Sequence, residues 1–135
     1  IVIAKELMSD SAGPGTFRGS PAQRVVLTKL PSYSRPLNIY FHPNRLSFAP
    51  LGIFDGHPGT KTEVIHNGDV LSDDPSSMTN GYVTLENSDD RLILEFPSGA
   101  GVGDPTGRPS ELVDRDVKNG LVSHESAKST YGHDD

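Results

Sequence analysis

Arg91-Leu92-Ile93-Leu94-Glu95-Phe96-Pro97-Ser98-Gly99-Ala100-Gly101-Val102-Gly103-Asp104-Pro105 is the stretch on which the fold turns. Leu92, Leu94 and Phe96 alternate onto one face, as a half-buried strand requires. Pro97 ends that strand, and the glycine loop from Gly99 to Gly103 opens a tail of different character. Beyond the loop the spacing predicts two short helices. In the first, Ser110 is placed to accept from the opening amides, Glu111 suits the positive end, and Leu112, Val113 and Val117 share an apolar side. Asn119-Gly120 stops it, with Gly120 as a left-handed cap and Leu121 available for the accompanying apolar contact. Ser123 then caps a second helix running through Glu125, Ala127 and Tyr131 to Gly132.

Upstream of the loop the chain reads as short strands separated by turns. Strands are expected over residues 1–7, 23–29, 37–42, 45–49, 61–66, 69–72, 81–86 and 91–96. Asn67-Gly68 is a strong hairpin signal, because both positions tolerate positive φ. Residues 72–80 read as a polar loop. Two glycine and proline knots interrupt the strands, one from Ser9 to Pro21 and one from Pro50 to Gly59. The expected fold is therefore mainly β, a short-stranded sandwich or barrel closed by a C-terminal pair of short helices. It comprises a β-rich part over residues 1–98 and a tail over 99–135, packed on the same domain or on a partner.

The 135 residues suit one domain, and Gly 14 with Pro 11 leaves little room for long helices. Hydrophobic residues make up 33% of the chain and mean hydropathy is -0.42, so the core is thin and part of its apolar burial is expected against a partner. A net charge of -6 argues against nucleic acid and anionic membrane surfaces. No apolar run reaches membrane-spanning length, and Ile1 to Met8, interrupted by Lys5 and Glu6, does not read as a signal peptide. Cysteine is absent, which removes disulfides and thiolate chemistry and leaves the cytoplasm as the expected compartment.

Self-contained chemistry is hard to find. The glycine loop invites a phosphate-cradle reading, but no Gly-Lys-Ser/Thr follows and the context is not βαβ. His42, His57 and His66 lie in loops without ligand spacing, and loop histidines of that kind are ordinarily surface or capping groups. No Gly-x-Ser-x-Gly elbow marks a nucleophile. Asp73-Asp74 and Asp89-Asp90 fall in polar turns, where carboxylates are ordinarily solvated. Neither a catalytic residue nor a metal site is assigned.

Three motifs in order are more informative together. Ser9-Asp10-Ser11-Ala12-Gly13-Pro14-Gly15-Thr16-Phe17-Arg18-Gly19, Pro50-Leu51-Gly52-Ile53-Phe54-Asp55-Gly56-His57-Pro58-Gly59, and Leu94 through Asp104-Pro105 and Asp116 to Tyr131-Gly132 resemble the C-terminal region of the hydantoinase B family. That family includes 5-oxoprolinases, acetone carboxylases and acetophenone carboxylases. The loop Ser98 to Val102 is poorer in glycine than is usual there, and the first helix begins Arg108-Pro109-Ser110 where the family has an Asp-Pro.

In most of the family this region ends a much longer polypeptide. The resemblance thus implies a small noncatalytic subunit of an ATP-dependent ketone carboxylase, most like the small subunit of acetophenone carboxylase. Its partners would be the large subunits, with ATP and a divalent metal bound by the complex and no cofactor by this chain. A subunit of a hydantoinase or 5-oxoprolinase type amidohydrolase and a free-standing β-sandwich binding module are the alternatives. The residues expected to line a partner interface or cavity are Arg18, Phe54, His57, Gly101, Gly103 and Asp104.

Overall fold

The computed structural model describes residues 1–73 and 81–133. Among the described residues seven strands form: β1 (Val2–Leu7), β2 (Gln23–Leu27), β3 (Leu37–Tyr40), β4 (Glu63–His66), β5 (Asp69–Val70), β6 (Tyr82–Leu85) and β7 (Leu92–Glu95). Two helices follow, α1 (Ser110–Lys118) and α2 (His124–Tyr131), and short 3-10 turns occupy Leu71–Asp73 and Pro105–Gly107. One antiparallel sheet has the order β1-β2-β7-β4-β5, and β3 pairs with β6 in a second. The described strands do not close into a barrel.

The two sheets meet through one apolar core. Val64 of β4 and Leu92 of β7 are buried from one side, Val83 and Leu85 of β6 from the other, and Leu46 fills in from a loop. Leu37, Ile39 and Phe41 pack against this core, as their alternation predicts. Tyr40 and Tyr82, paired in register on the opposite, exposed face, make a tilted ring contact with centroids 5.5 Å apart. Asn67 and Gly68 both take positive φ in the β4–β5 hairpin, the conformation that the dipeptide predicts.

Several expected elements shift. Residues 45–49 form no strand: Arg45 sits at φ 55, which breaks an extended run and turns Leu46 inward. The strand expected over 69–72 shortens to two residues before the 3-10 turn. Most of the polar loop expected over 72–80, Asp74 included, lies outside the described residues. Helix α1 starts one residue early. Pro109 is its N-cap and Ser110 is already helical, so Ser110 makes no capping bond; Pro109 instead accepts through its carbonyl from Leu112 N and Val113 N at 2.9 and 3.2 Å.

The tail builds a second, smaller core from Val113, Val122, Ala127 and Tyr131. Asn119 and Gly120 end α1 as expected, with Gly120 N donating to Val117 O at 2.9 Å and Leu121 N to Asp116 O at 2.9 Å. The apolar contact comes from Val122 rather than Leu121, which stays half-buried. Ser123 caps α2 by accepting from Ser126 N. Among the described residues no helix is long and apolar enough to cross a membrane.

Candidate functional site

The two glycine knots and the glycine loop come together in space, and their backbones bond to one another. Val102 lies at the centre. It exchanges hydrogen bonds with Phe17 (Phe17 N to Val102 O 2.9 Å, Val102 N to Phe17 O 3.0 Å) in an antiparallel bridge. On its other side Ile53 forms a parallel bridge, donating to Gly101 O at 3.3 Å and accepting from Gly103 N at 3.0 Å. Further bonds tie the ends: Gly13 N to Gly99 O, Gly99 N to Ser20 O, His57 N to Pro14 O and Gly101 N to His57 O, all between 2.8 and 2.9 Å. Ser98 and Thr60 close the assembly with reciprocal amide-to-hydroxyl bonds of 2.7 and 3.2 Å.

Glycine is required where these backbones cross. A Cβ on Gly101 would run into the carbonyl of Pro14, and one on Gly19 into that of Gly99. This packing also decides what the loop can bind. The amides of Gly99, Gly101, Val102 and Gly103 donate to Ser20, His57, Phe17 and Ile53, which leaves these four no hydrogen to offer a phosphate. The loop that resembles a phosphate cradle serves as the central strand of a backbone knot.

The expected site residues divide by location. Gly101 is buried in the knot, and Gly103, at φ 77, packs against Thr16. Arg18 turns inward: its Nε donates to Asp116 Oδ2 at 2.8 Å and its Nη2 to Oδ1 at 3.0 Å. Arg108 Nη2 reaches the same carboxylate at 2.9 Å, although Arg108 was not singled out in the sequence. Burial works to raise the pKa of Asp116, but bonding and charge from Arg18 and Arg108 outweigh it, so the carboxylate titrates below its ordinary range. The triad joins the first knot to helix α1.

Phe54, His57 and Asp104 are exposed. Asp104 Oδ1 accepts from the amide and hydroxyl of Thr106, both at 2.8 Å, and these bonds, with a smaller contribution from His57, lower its pKa. Phe54 occupies an unusual backbone. Gly56 N donates to Ile53 O at 3.0 Å across a four-residue turn whose central residues, Phe54 and Asp55, have φ 52 and 68. Positive φ at both central positions is the signature of a type I′ turn, which favours Asn-Gly. A bulky residue there stores strain of roughly 1–3 kcal/mol.

The three bridged residues point their side chains to one face. Phe17 is 72% exposed and Ile53 54%, and Phe54, which follows Ile53 in the chain, is 80% exposed. The parts of this row were present in the sequence as Phe17 in one glycine knot and Ile53-Phe54 in the other; their adjacency was not. Among the described residues no three His, Asp or Glu side chains gather where they could share a metal ion, so His42, His57 and His66 do not converge. The arrangement offers rigid apolar surface rather than reactive groups.

Comparison with known proteins gives a consistent picture. Residues 1–105 match the family model described as hydantoinase B/oxoprolinase. The caprolactamase subunit beta of Pseudomonas jessenii is 32% identical over 134 residues, a match that covers 93% of this chain and 22% of that subunit. An uncharacterized protein of Methanocaldococcus jannaschii is 30% identical over 132 residues, again covering 22% of the relative. The crystal structure of the ATP-dependent caprolactamase from Pseudomonas jessenii superposes with a TM-score of 0.73 at 25% identity, covering 98% of this chain and 23% of that one. A nucleotide-free acetone carboxylase structure gives 0.69 at 15% identity, covering 98% and 21%, and shares the fold. The chain therefore spans about a fifth of the length of the relatives it matches.

Proposed function

This chain belongs to the hydantoinase B/oxoprolinase family, and from that membership we propose that it is a noncatalytic module completing a large hydantoinase B-like subunit of an ATP-dependent complex. The observation that supports the reading is the match itself: 93% of this chain aligns at 32% identity with a segment of the caprolactamase beta subunit, 22% of that subunit's length. The remaining length of such a subunit, and the companion chains that work with it, would hold ATP and the divalent metal. In this chain the glycine-loop amides are occupied by carbonyls, which supports a structural role for that loop. Its contribution is a rigid wall of backbone and apolar side chains against which the larger part is ordered.

The same comparison supports one substrate class over another. The relative that shares 32% identity is a caprolactamase subunit, whereas the acetone carboxylase shares the fold at 15% identity. ATP-driven opening of a lactam or related cyclic amide is the better-supported reaction, which favours the amidohydrolase alternative. Ketone carboxylation, including the acetophenone type, rests on likeness of fold and is the competing substrate class. The test is co-expression of the chain with the chains encoded beside it, followed by ATP turnover assays. The panel comprises caprolactam, 5-oxoproline and hydantoin against acetone and acetophenone with bicarbonate. Turnover on a cyclic amide that disappears when this chain is omitted is the expected result. Full turnover without it would remove the module reading, and turnover confined to ketones would replace the substrate class.

A further inference from the structure

We infer that the apolar row Phe17–Val102–Ile53, with Phe54 at its tip, is the surface through which this domain docks on the larger part of a hydantoinase B-like subunit. The inference rests on the module reading above and adds to it the place and chemistry of the contact. The first support is the turn at Phe54. Its backbone is held at φ 52, where Asn or Gly would sit without strain, yet the side chain is 80% exposed and finds no packing in this domain to offset that strain. Contact with another polypeptide would supply the missing packing.

The second support is continuity and rigidity. Phe17, Val102 and Ile53 come from three separate loops but stand side by side, because their backbones are bridged. A surface fixed by backbone hydrogen bonds loses little freedom on binding. Contiguous exposed apolar side chains of this kind mark interaction sites more often than ordinary surface.

Charge selects the occupant. Arg18, the cation next to Phe17, is turned away into its pair with Asp116. Arg108, whose Nη1 donates to Thr16 O beside Phe17, is likewise turned into the Asp116 pair, whereas Asp55 and Asp104, each within two residues of a bridged residue in sequence, are acidic and exposed. A second copy would bring the same acidic rim against this one, with a net charge of -6 on each chain. A partner face with an apolar pocket and a Lys or Arg rim is complementary. The relatives provide a source for it, since close to four fifths of the caprolactamase beta subunit has no counterpart in this chain.

The experiment measures binding of the purified chain to the Pseudomonas jessenii caprolactamase beta subunit from which the matching segment has been deleted. It compares the wild type with Phe54→Asn and Phe17→Ser. Phe54→Asn suits the left-handed backbone, so its melting temperature should equal or exceed the wild type while its affinity falls at least about tenfold, the loss expected of an aromatic anchor. Phe17→Ser should weaken binding without touching the turn. Wild-type binding that both substitutions leave unchanged would overturn the docking surface and spare the module reading. Absence of wild-type binding would overturn both. A concentration-dependent dimer in sedimentation, dissociated by Phe54→Asn, would assign the row to a second copy and overturn the chosen occupant.

Discussion

Arg18 and Asp116, 98 positions apart in the chain, form a two-point ion pair with bonds of 2.8 and 3.0 Å. Asp116 is 2% exposed, and Arg108 shares its carboxylate from the other side. Asp116→Ala would leave two guanidinium groups facing each other in the interior without a counter-charge. Removing one partner of a buried ion pair costs about 3–5 kcal/mol. Chemical denaturation should show that loss, and hydrogen exchange should show it concentrated in α1 and α2. A change under about 1 kcal/mol would mean that the triad does not hold the tail.

The same carboxylate predicts a pH dependence. Its folded pKa lies below the ordinary value of 3.8, so its stabilising effect is complete above that value and is lost as pH falls through the folded pKa. Wild-type stability should therefore decline steeply below about pH 4. Asp116→Asn should be less stable at neutral pH and show a shallower acid slope. Asp90 and Asp104, whose pKa values are also lowered by hydrogen bonds, will retain part of the slope in that variant.

Two glycine substitutions separate close approach from backbone conformation. Gly101→Ala drives a methyl into the carbonyl of Pro14 and must force two loops apart. A loss of more than about 3 kcal/mol is expected, beyond the usual range for a point change. Gly120→Ala meets nothing within 4 Å and carries only the strain of φ 69, about 1 kcal/mol. Thermal melts of the two variants should keep this order.

Asn67→Ala tests the hairpin clamp. Asn67 donates through Nδ2 to Asp90 Oδ1 at 3.1 Å and accepts at Oδ1 from Arg91 N at 2.8 Å, while holding φ 52. Loss of both bonds and of a residue that tolerates positive φ should cost about 1–2 kcal/mol. Asn67→Asp keeps an acceptor for Arg91 N but sets a second carboxylate against Asp90, so it should recover little of that loss at neutral pH and more as the pH falls.

A nucleotide titration tests the knot itself. With the amides of Gly99, Gly101, Val102 and Gly103 already donating to carbonyls, calorimetry of the chain with ATP and Mg²⁺ should show no saturable heat. A saturable isotherm competed by free phosphate would instead show that the loop can release its partners to bind phosphate.

The amino-acid sequence by itself determined the local features. Alternation marked β3 and β7, Asn67-Gly68 specified its turn, and Gly120 and Ser123 marked helix ends, because each depends on torsion preferences and neighbours within a few residues. It also carried the family resemblance, since motif order survives in the chain. Tertiary structure alone decided which glycines are indispensable, because Gly101 is defined by Pro14 from a remote loop. It likewise turned Arg18 inward: the decisive partner is on a helix 98 positions away. Phe17, Ile53 and Phe54 became one surface only when Val102 was laid between the two knots. Local propensity is encoded over a turn or two, whereas these contacts depend on which backbones the folded chain brings within hydrogen-bonding distance.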